Sequence, residues 1–215
     1  MSKTKSEIVY NLLLEKIKKG EARPGSRLVI SQIAKEFNVS ESPVREVIQR
    51  LAQEGYITLT PHAGPTVKSL SPDEVRQIFE IRSGLESLAA RLAVNHISNA
   101  HIKNLEHIVE KSKDICEKEN YEEYLQLNTY FHKTLYQHCY NDMLIKMIEE
   151  ITGLSARYPN YYQDKETMQV SIKEHEEILK ALNKRDEELI EQLLKEHLNK
   201  VIPKLIKIVE EASKN

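Results

Sequence analysis

The 215-residue chain has no tryptophan, two cysteines, six glycines and seven prolines. Aromatic residues make up 6% of it. So few Gly and Pro exclude a collagen-like or Pro/Gly-rich disordered chain. The scarcity of aromatics argues against a strand-rich sandwich. Cys116 and Cys139 are too few for a disulfide framework and suit a reducing compartment, with both expected at core or boundary positions. No apolar run approaches the ~20 residues of a membrane span, and the first seven residues lack the apolar core of a secretory signal. The expectation is a cytoplasmic, mainly helical protein with no membrane partner.

What is present is charge, unevenly placed. Residues 1–68 carry 11 Lys+Arg against 7 Asp+Glu, whereas 69–215 carry 20 against 26. A basic head on an acidic remainder suggests that only the head meets a polyanion.

In the head, Ile8, Val9, Leu12, Leu13 and Ile17 follow a three/four rhythm that predicts a helix over Ser6–Lys19, stopped by Gly20. Arg23-Pro24-Gly25 reads as a turn and Leu28–Ile30 as a short apolar piece. Ser31 is placed to cap a second helix bearing Ile33, Ala34 and Phe37. After the tight connection Asn38–Ser40, Ser42 with Pro43 at the first helical position opens a third helix bearing Val44, Val47, Ile48 and Leu51. Gly55 ends it, and two β-prone pieces, Tyr56–Thr60 and Thr66–Lys68, are joined by Pro61-His62-Ala63-Gly64-Pro65. This is the order of a winged helix-turn-helix, expected over residues 1–70.

The run RPGSRL…IAKEFNVSESPVREVIQRLAQEGYI resembles the DNA-binding domain of the GntR family of bacterial transcription regulators. A third helix with a small polar first turn (Ser40, Ser42) and Arg45 one turn in suits a major groove, where Arg45 can offer its fork to a guanine edge. The DNA-contacting candidates are Ser31, Ser40, Glu41, Ser42, Arg45, His62 and Gly64. Glu41 stands where the family often has Arg, and the family often has another Arg near His62-Ala63. Glu41 can accept from cytosine, or act as a helix-start acid, or pair with Arg45. His62 can also be an ordinary loop residue. Arg50, on the far side of the helix, is assigned to phosphate or solvent, and Lys16, Lys18, Lys19 and Arg27 mostly to solvent.

From Ser71-Pro72-Asp73-Glu74, a capping-box pattern, the chain reads as helical throughout. Six segments are expected, near 72–95, 98–118, 121–139, 141–158, 164–184 and 186–212, with Pro203 kinking the last or marking its tail. They would form an all-α antiparallel bundle over residues 71–215, large enough to enclose a cavity. VRQIFEIRSGLESLAARLAV (75–94), YLQLNTYFHKTLYQHCYNDML and EHEEILKAL resemble the FCD ligand-binding domain of the FadR subfamily. The resemblance implies a homodimer on a palindromic operator in double-stranded DNA, more often a repressor than an activator. It also implies a small organic acid effector in the helical domain.

Eight histidines are many for this length. Asn128 and His132 lie one helical turn apart, on one face. His175 and His197 lie about three turns either side of the Arg185-Asp186 turn, so antiparallel helices can bring both to one level. Three neutral imidazoles suit a divalent transition metal, zinc or nickel first, then iron, manganese or copper, with positions left open for water or a carboxylate. Spacing alone leaves the three equally readable as histidines hydrogen-bonded to neighbours. It is the resemblance that implies His132, His175 and His197 as ligands, with an Asp where this chain has Asn128, which can ligate directly, stand behind the site or act on the effector. His96, His101, His107 and His138 fall outside the pattern. Arg82, on the inner stripe of the first bundle helix, needs a carboxylate partner, either the effector or Glu86. Arg157 and Tyr161 are further candidates for lining the effector pocket. An enzyme is not expected: no metalloprotease motif occurs, and no carboxylate is placed by motif near the histidines. A metal sensor is the remaining alternative.

Overall fold

The computed structural model describes residues 4–18, 20–61, 64–155 and 164–212. The chain divides into two compact units, Met1–Ser71 with Gly153–Pro159, and Pro72–Thr152 with Asn160–Asn215.

In the first unit, α1 (Lys5–Lys18) buries Val9, Leu13 and Ile17, a single stripe spaced four apart. That stripe meets Val44, Val47, Ile48 and Leu51 of α3 (Glu41–Gln53) in one apolar core. Polar straps fix the pairing. The Ser6 hydroxyl donates to Glu46 at 2.8 Å, and the Tyr10 hydroxyl donates to Glu54 at 2.6 Å. Arg50 lies 3.8 Å over the Tyr10 ring while its Nε donates to Glu54 at 3.0 Å. Arg50 therefore takes part in the α1–α3 contact while its side chain stays 54% exposed to solvent. Lys16 likewise pairs with Glu36 and lies over Phe37, tying α1 to the end of α2 (Ile30–Glu36).

Two helix starts differ from expectation. Val29, in extended backbone, holds the N-cap of α2, and Ile33 N donates to Val29 O at 3.0 Å, so Ser31 lies inside the first turn and caps nothing. α3 begins at Glu41 with Ser40 at its N-cap, which places Ser42 and Pro43 second and third in the helix. Pro43 is tolerated there because first-turn amides have no intrahelical acceptor. The α2–α3 turn passes through Asn38 at φ +52°, with Val39 N returning to Ala34 O at 3.0 Å.

The wing pairs β1 (Ile57–Thr60) antiparallel to β2 (Gly64–Val67), in register Ile57↔Val67 to Thr60↔Gly64. A third run, absent from the sequence expectation, flanks β2: Arg27 bridges Thr66, Leu28 N donates to Pro65 O at 2.8 Å, and Val67 N donates to Ser26 O at 2.9 Å.

The second unit is helical: α4 (Pro72–Ala93), α5 (Asn99–Glu117), α6 (Tyr121–Gln137), α7 (Asp142–Ser155), α8 (Lys165–Asn183), α9 (Glu187–Lys200) and α10 (Ile202–Ala212). The expected last segment is divided at Val201, because Pro203 cannot donate to the preceding turn and its ring crowds the carbonyl four residues back. Side chains of Ser98, Asn120, Asp164 and Asp186 accept from the first-turn amides of α5, α6, α8 and α9. The α8–α9 turn passes through Arg185 at φ +57°, an uncommon backbone for a side-chain-bearing residue. Its guanidinium donates to Val94 O, to Ile97 O at 2.8 Å and to Asn99 Oδ1 at 2.9 Å, clamping this turn to the α4–α5 connection. α4 lies along α9, and α5 along α6 and α8. Leu105, Tyr124, Phe131, Leu135, Met168, Ile178 and Leu194 fill the centre. Among the described residues no helix is long and apolar enough to cross a membrane.

Candidate metal centre and nucleic-acid interface

Helices α6, α8 and α9 carry His132, His175 and His197 to one buried level of the bundle. The three side chains are 7%, 2% and 3% exposed, and one ring nitrogen from each lies within 4.8 Å of the others. His197 Nδ1 donates to Glu174 Oε2 at 2.7 Å. A carboxylate only accepts, so the proton is on Nδ1 and the Nε2 lone pair of His197 faces inward. It points at His132 Nε2, 3.2 Å away. On the outer side of His132, Nδ1 stands 3.3 Å from Glu86 Oε2, outside hydrogen-bond alignment. His175 stacks on Phe131 with ring centroids 4.0 Å apart, and its Nε2 is buried without a hydrogen-bond partner.

This arrangement fits a cation. Burial, then the neighbouring rings, pushes His175 well below the usual histidine range. Burial also lowers His197, against the pull of Glu174. Neutral rings keep the lone pairs that ligate. The Nε2 atoms of His197 and His132 stand 3.2 Å apart, a contact satisfied by a proton on His132 Nε2 or by a cation between the two. Two nitrogens each about 2.0–2.1 Å from one tetrahedral ion stand about 3.3 Å apart, close to the distance found. The orphaned His175 Nε2 is the third donor.

The site also holds two carboxylates: Glu86, which sequence reasoning named only as a partner for Arg82, and Glu174, which it missed. Glu86, 2% exposed, takes Arg82 Nε at 2.9 Å and the guanidinium Nη2 at 2.8 Å on the same oxygen. Burial acts to raise its pKa, but Arg82 and then His132 outweigh burial and hold it at about 2. Glu174 is held below its ordinary value in the same way, against burial, by His197 and by Lys200 at 2.8 Å. Arg82 pairs with Glu86, one turn on, and its guanidinium also lies over Phe79. The expectation of no carboxylate near the histidines is thus corrected. Both, however, face the outer Nδ1 side of their rings, not the side where the lone pairs converge.

Asn128 lies half-buried one turn before His132. His96 packs on Tyr140, and His101 on His138, away from the cluster of three. Cys116 and Cys139 are buried. His62, Arg157 and Tyr161 lie outside the described residues.

In the first unit, Ser31, Ser40, Glu41, Ser42 and Arg45 are all exposed. Arg45 pairs with Glu41 at 2.7 Å, the two side chains being 62% and 46% exposed. Such a surface i,i+4 pair is worth about 0.3–0.5 kcal/mol, little enough to exchange for a guanine edge. Gly64, at φ +83°, opens β2, and a Cβ there would stand 3.6 Å from the Arg27 guanidinium. Arg27 is exposed. Its guanidinium therefore sits beside the wing tip, where the family's usual arginine is missing from the sequence.

Comparison with known proteins places both units. The family of bacterial regulatory proteins described as gntR matches residues 5–67, and the FCD domain matches residues 77–200. The uncharacterized HTH-type transcriptional regulator YdhC of Bacillus subtilis is 30% identical over 96% of this chain and 93% of its own. The HTH-type transcriptional repressor RspR of Escherichia coli is 27% identical over 95% and 90%. The solved structure titled E. coli McbR/YncC covers 99% of this chain and 100% of its own with a TM-score of 0.77 at 23% identity, which shows a shared fold. The chain belongs to the gntR family of bacterial regulatory proteins and carries an FCD domain.

Proposed function

We propose that the chain is a homodimeric cytoplasmic repressor of the FadR subfamily, controlled by a small organic acid and a divalent transition metal in its helical domain. The observation that carries the DNA-binding part is the exposed first turn of α3. Ser40, Glu41, Ser42 and Arg45 stand clear of the core formed by Val44, Val47, Ile48 and Leu51. Two such helices, one per subunit, would read half-sites about 34–36 Å apart on a palindromic operator. The exposed Ser31, the Gly64 wing tip and His62 are the accompanying backbone contacts in this reading.

Support for the dimer comes from α4. Ile81 is 51% and Leu92 36% exposed, with Leu85 and Leu88 between them only partly covered. Gly84 lies on the same stripe, and a Cβ there would meet nothing within 4 Å. A mid-helix glycine costs about 1 kcal/mol relative to alanine, and among the described residues no neighbour requires one at this position. Close approach of a second α4 would.

The buried imidazoles support the metal, with His132, His175 and His197 as ligands and Asn128 beside them. Zinc and nickel are favoured by three nitrogen donors. The ion's open positions would receive the organic acid. Arg82 already shares Glu86, so it would reach an effector only by loosening that pair. Control then requires the acid to bind one arrangement of the dimer more tightly than the other.

Arg45→Ala tests the DNA-binding assignment. The variant is expected to bind a fragment of its own promoter about 1–3 kcal/mol more weakly in a fluorescence anisotropy titration. Its thermal melt should be unchanged, since the Glu41 pair it loses is exposed. Full affinity in that variant would remove α3 from the operator.

A further inference from the structure

Resting on the metal reading above, we infer that Glu174 is a positioning residue for the ion: it sets the tautomer of His197 and places a negative charge directly behind that ring. Glu174 immediately precedes His175, yet the two side chains serve different places. Successive residues on a helix point about 100° apart, so His175 enters the core while Glu174 reaches across to α9. There one oxygen accepts from His197 Nδ1 at 2.7 Å and the other from Lys200 Nζ at 2.8 Å. Both carboxylate oxygens are thereby held, and the ring behind them can rotate or change tautomer only by breaking a charge-assisted bond. The inward Nε2 of His197 is fixed at 3.2 Å from that of His132.

The charge argument singles out the same residue. Asn128, one turn before His132, carries no charge. Glu86, the other acid behind a ring, is already neutralised by Arg82 and stands 3.3 Å from His132 without hydrogen-bond alignment. Glu174 is 18% exposed, whereas the side chain of its cationic partner Lys200 is 60% exposed and screened by water. Among the described residues, Glu174 is the carboxylate with a well-aligned hydrogen bond to one of the three imidazoles, and its charge acts on an ion through that ring. Carboxylates so placed raise the basicity of a ligating ring, and their loss lowers metal affinity about 10–100-fold.

The test uses the full chain, stripped with chelator and titrated with zinc against a chromophoric competitor. Glu174→Ala should weaken zinc binding about 10–100-fold, and Glu174→Gln, which keeps an acceptor oxygen but no charge, should fall between that variant and the parent. Lys200→Ala, which removes only the outer partner, should stay within about threefold of the parent if screening makes that partner minor. A second readout needs no metal: long-range proton–nitrogen NMR of the histidine rings should show His197 as the Nδ1–H tautomer in the parent and a mixture in Glu174→Ala. This signal also separates positioning from a general loss of packing, and the near-isosteric Gln variant keeps the test valid should the Ala variant unfold. Zinc affinity of the Gln and Ala variants equal to the parent would overturn the inference while leaving the metal site standing. A parent chain that binds no zinc, nickel, cobalt, iron, manganese or copper would overturn the metal reading itself.

Discussion

Replacing His175 and His197 together by alanine is expected to reduce the transition metal carried by the purified chain from about one ion to background by elemental analysis. The two rings supply two of the three converging nitrogens, including the orphaned Nε2 of His175 and the oriented Nε2 of His197. His132 alone then offers a single neutral donor, which does not retain a divalent ion through purification. The double variant should keep its helical circular dichroism, because the core around Leu105, Leu135, Ile178 and Leu194 is not touched. It should also bind operator DNA as the chelator-treated parent does, since its α3 is intact. A double variant that keeps its metal would place the ion elsewhere in the chain.

Glu86→Leu should destabilise the helical unit by about 3 kcal/mol, since removing one partner of a buried ion pair leaves the other charge without its main compensation. Arg82 is 13% exposed and takes two contacts from that carboxylate, at 2.9 and 2.8 Å. For a unit of this size the change corresponds to a melting transition lower by about 10 °C, measured in chelator so that bound metal does not contribute. The compensated variant Arg82→Met/Glu86→Leu should recover most of the loss, because apolar replacement of a whole buried pair is close to neutral. A single variant that melts with the parent would show that Arg82 is held by other groups and that Glu86 contributes nothing to stability.

How much of this was legible in advance differs from element to element. The α1 and α3 cores could be read because Val9–Leu13–Ile17 and Val44–Val47–Ile48–Leu51 keep the helical period, although Ile8 and Leu12, read on the same α1 stripe, stand exposed. The Arg185-Asp186 turn made it legible that His175 and His197 can share a level, whereas the inclusion of His132 came from the family resemblance. The run beside β2 was not legible, since Gly25-Ser26-Arg27 has no strand propensity and takes its conformation from the partner amides of β2. Glu174, and the place of Glu86 behind His132, were hidden for a different reason. An acidic residue on a charged helix reads as solvated, and only the register between α4 and α6, or between α8 and α9, turns it inward against a histidine. Arg50 shows the same limit on the first unit, where Tyr10 on another helix captures it. The start of α2 at Ile30 rather than after Ser31 reflects backbone geometry at Val29 that no side chain announces.

The central claim is that three imidazoles converge on one divalent ion inside the helical unit. Anomalous diffraction from crystals of protein purified without chelator, collected on either side of the absorption edges of zinc and nickel, tests it most directly. The account predicts one strong peak per subunit, about 2.0–2.2 Å from a nitrogen of each of His132, His175 and His197. Anomalous maps without a peak there, or with the three rings turned from one another around ordinary side-chain packing, would contradict it.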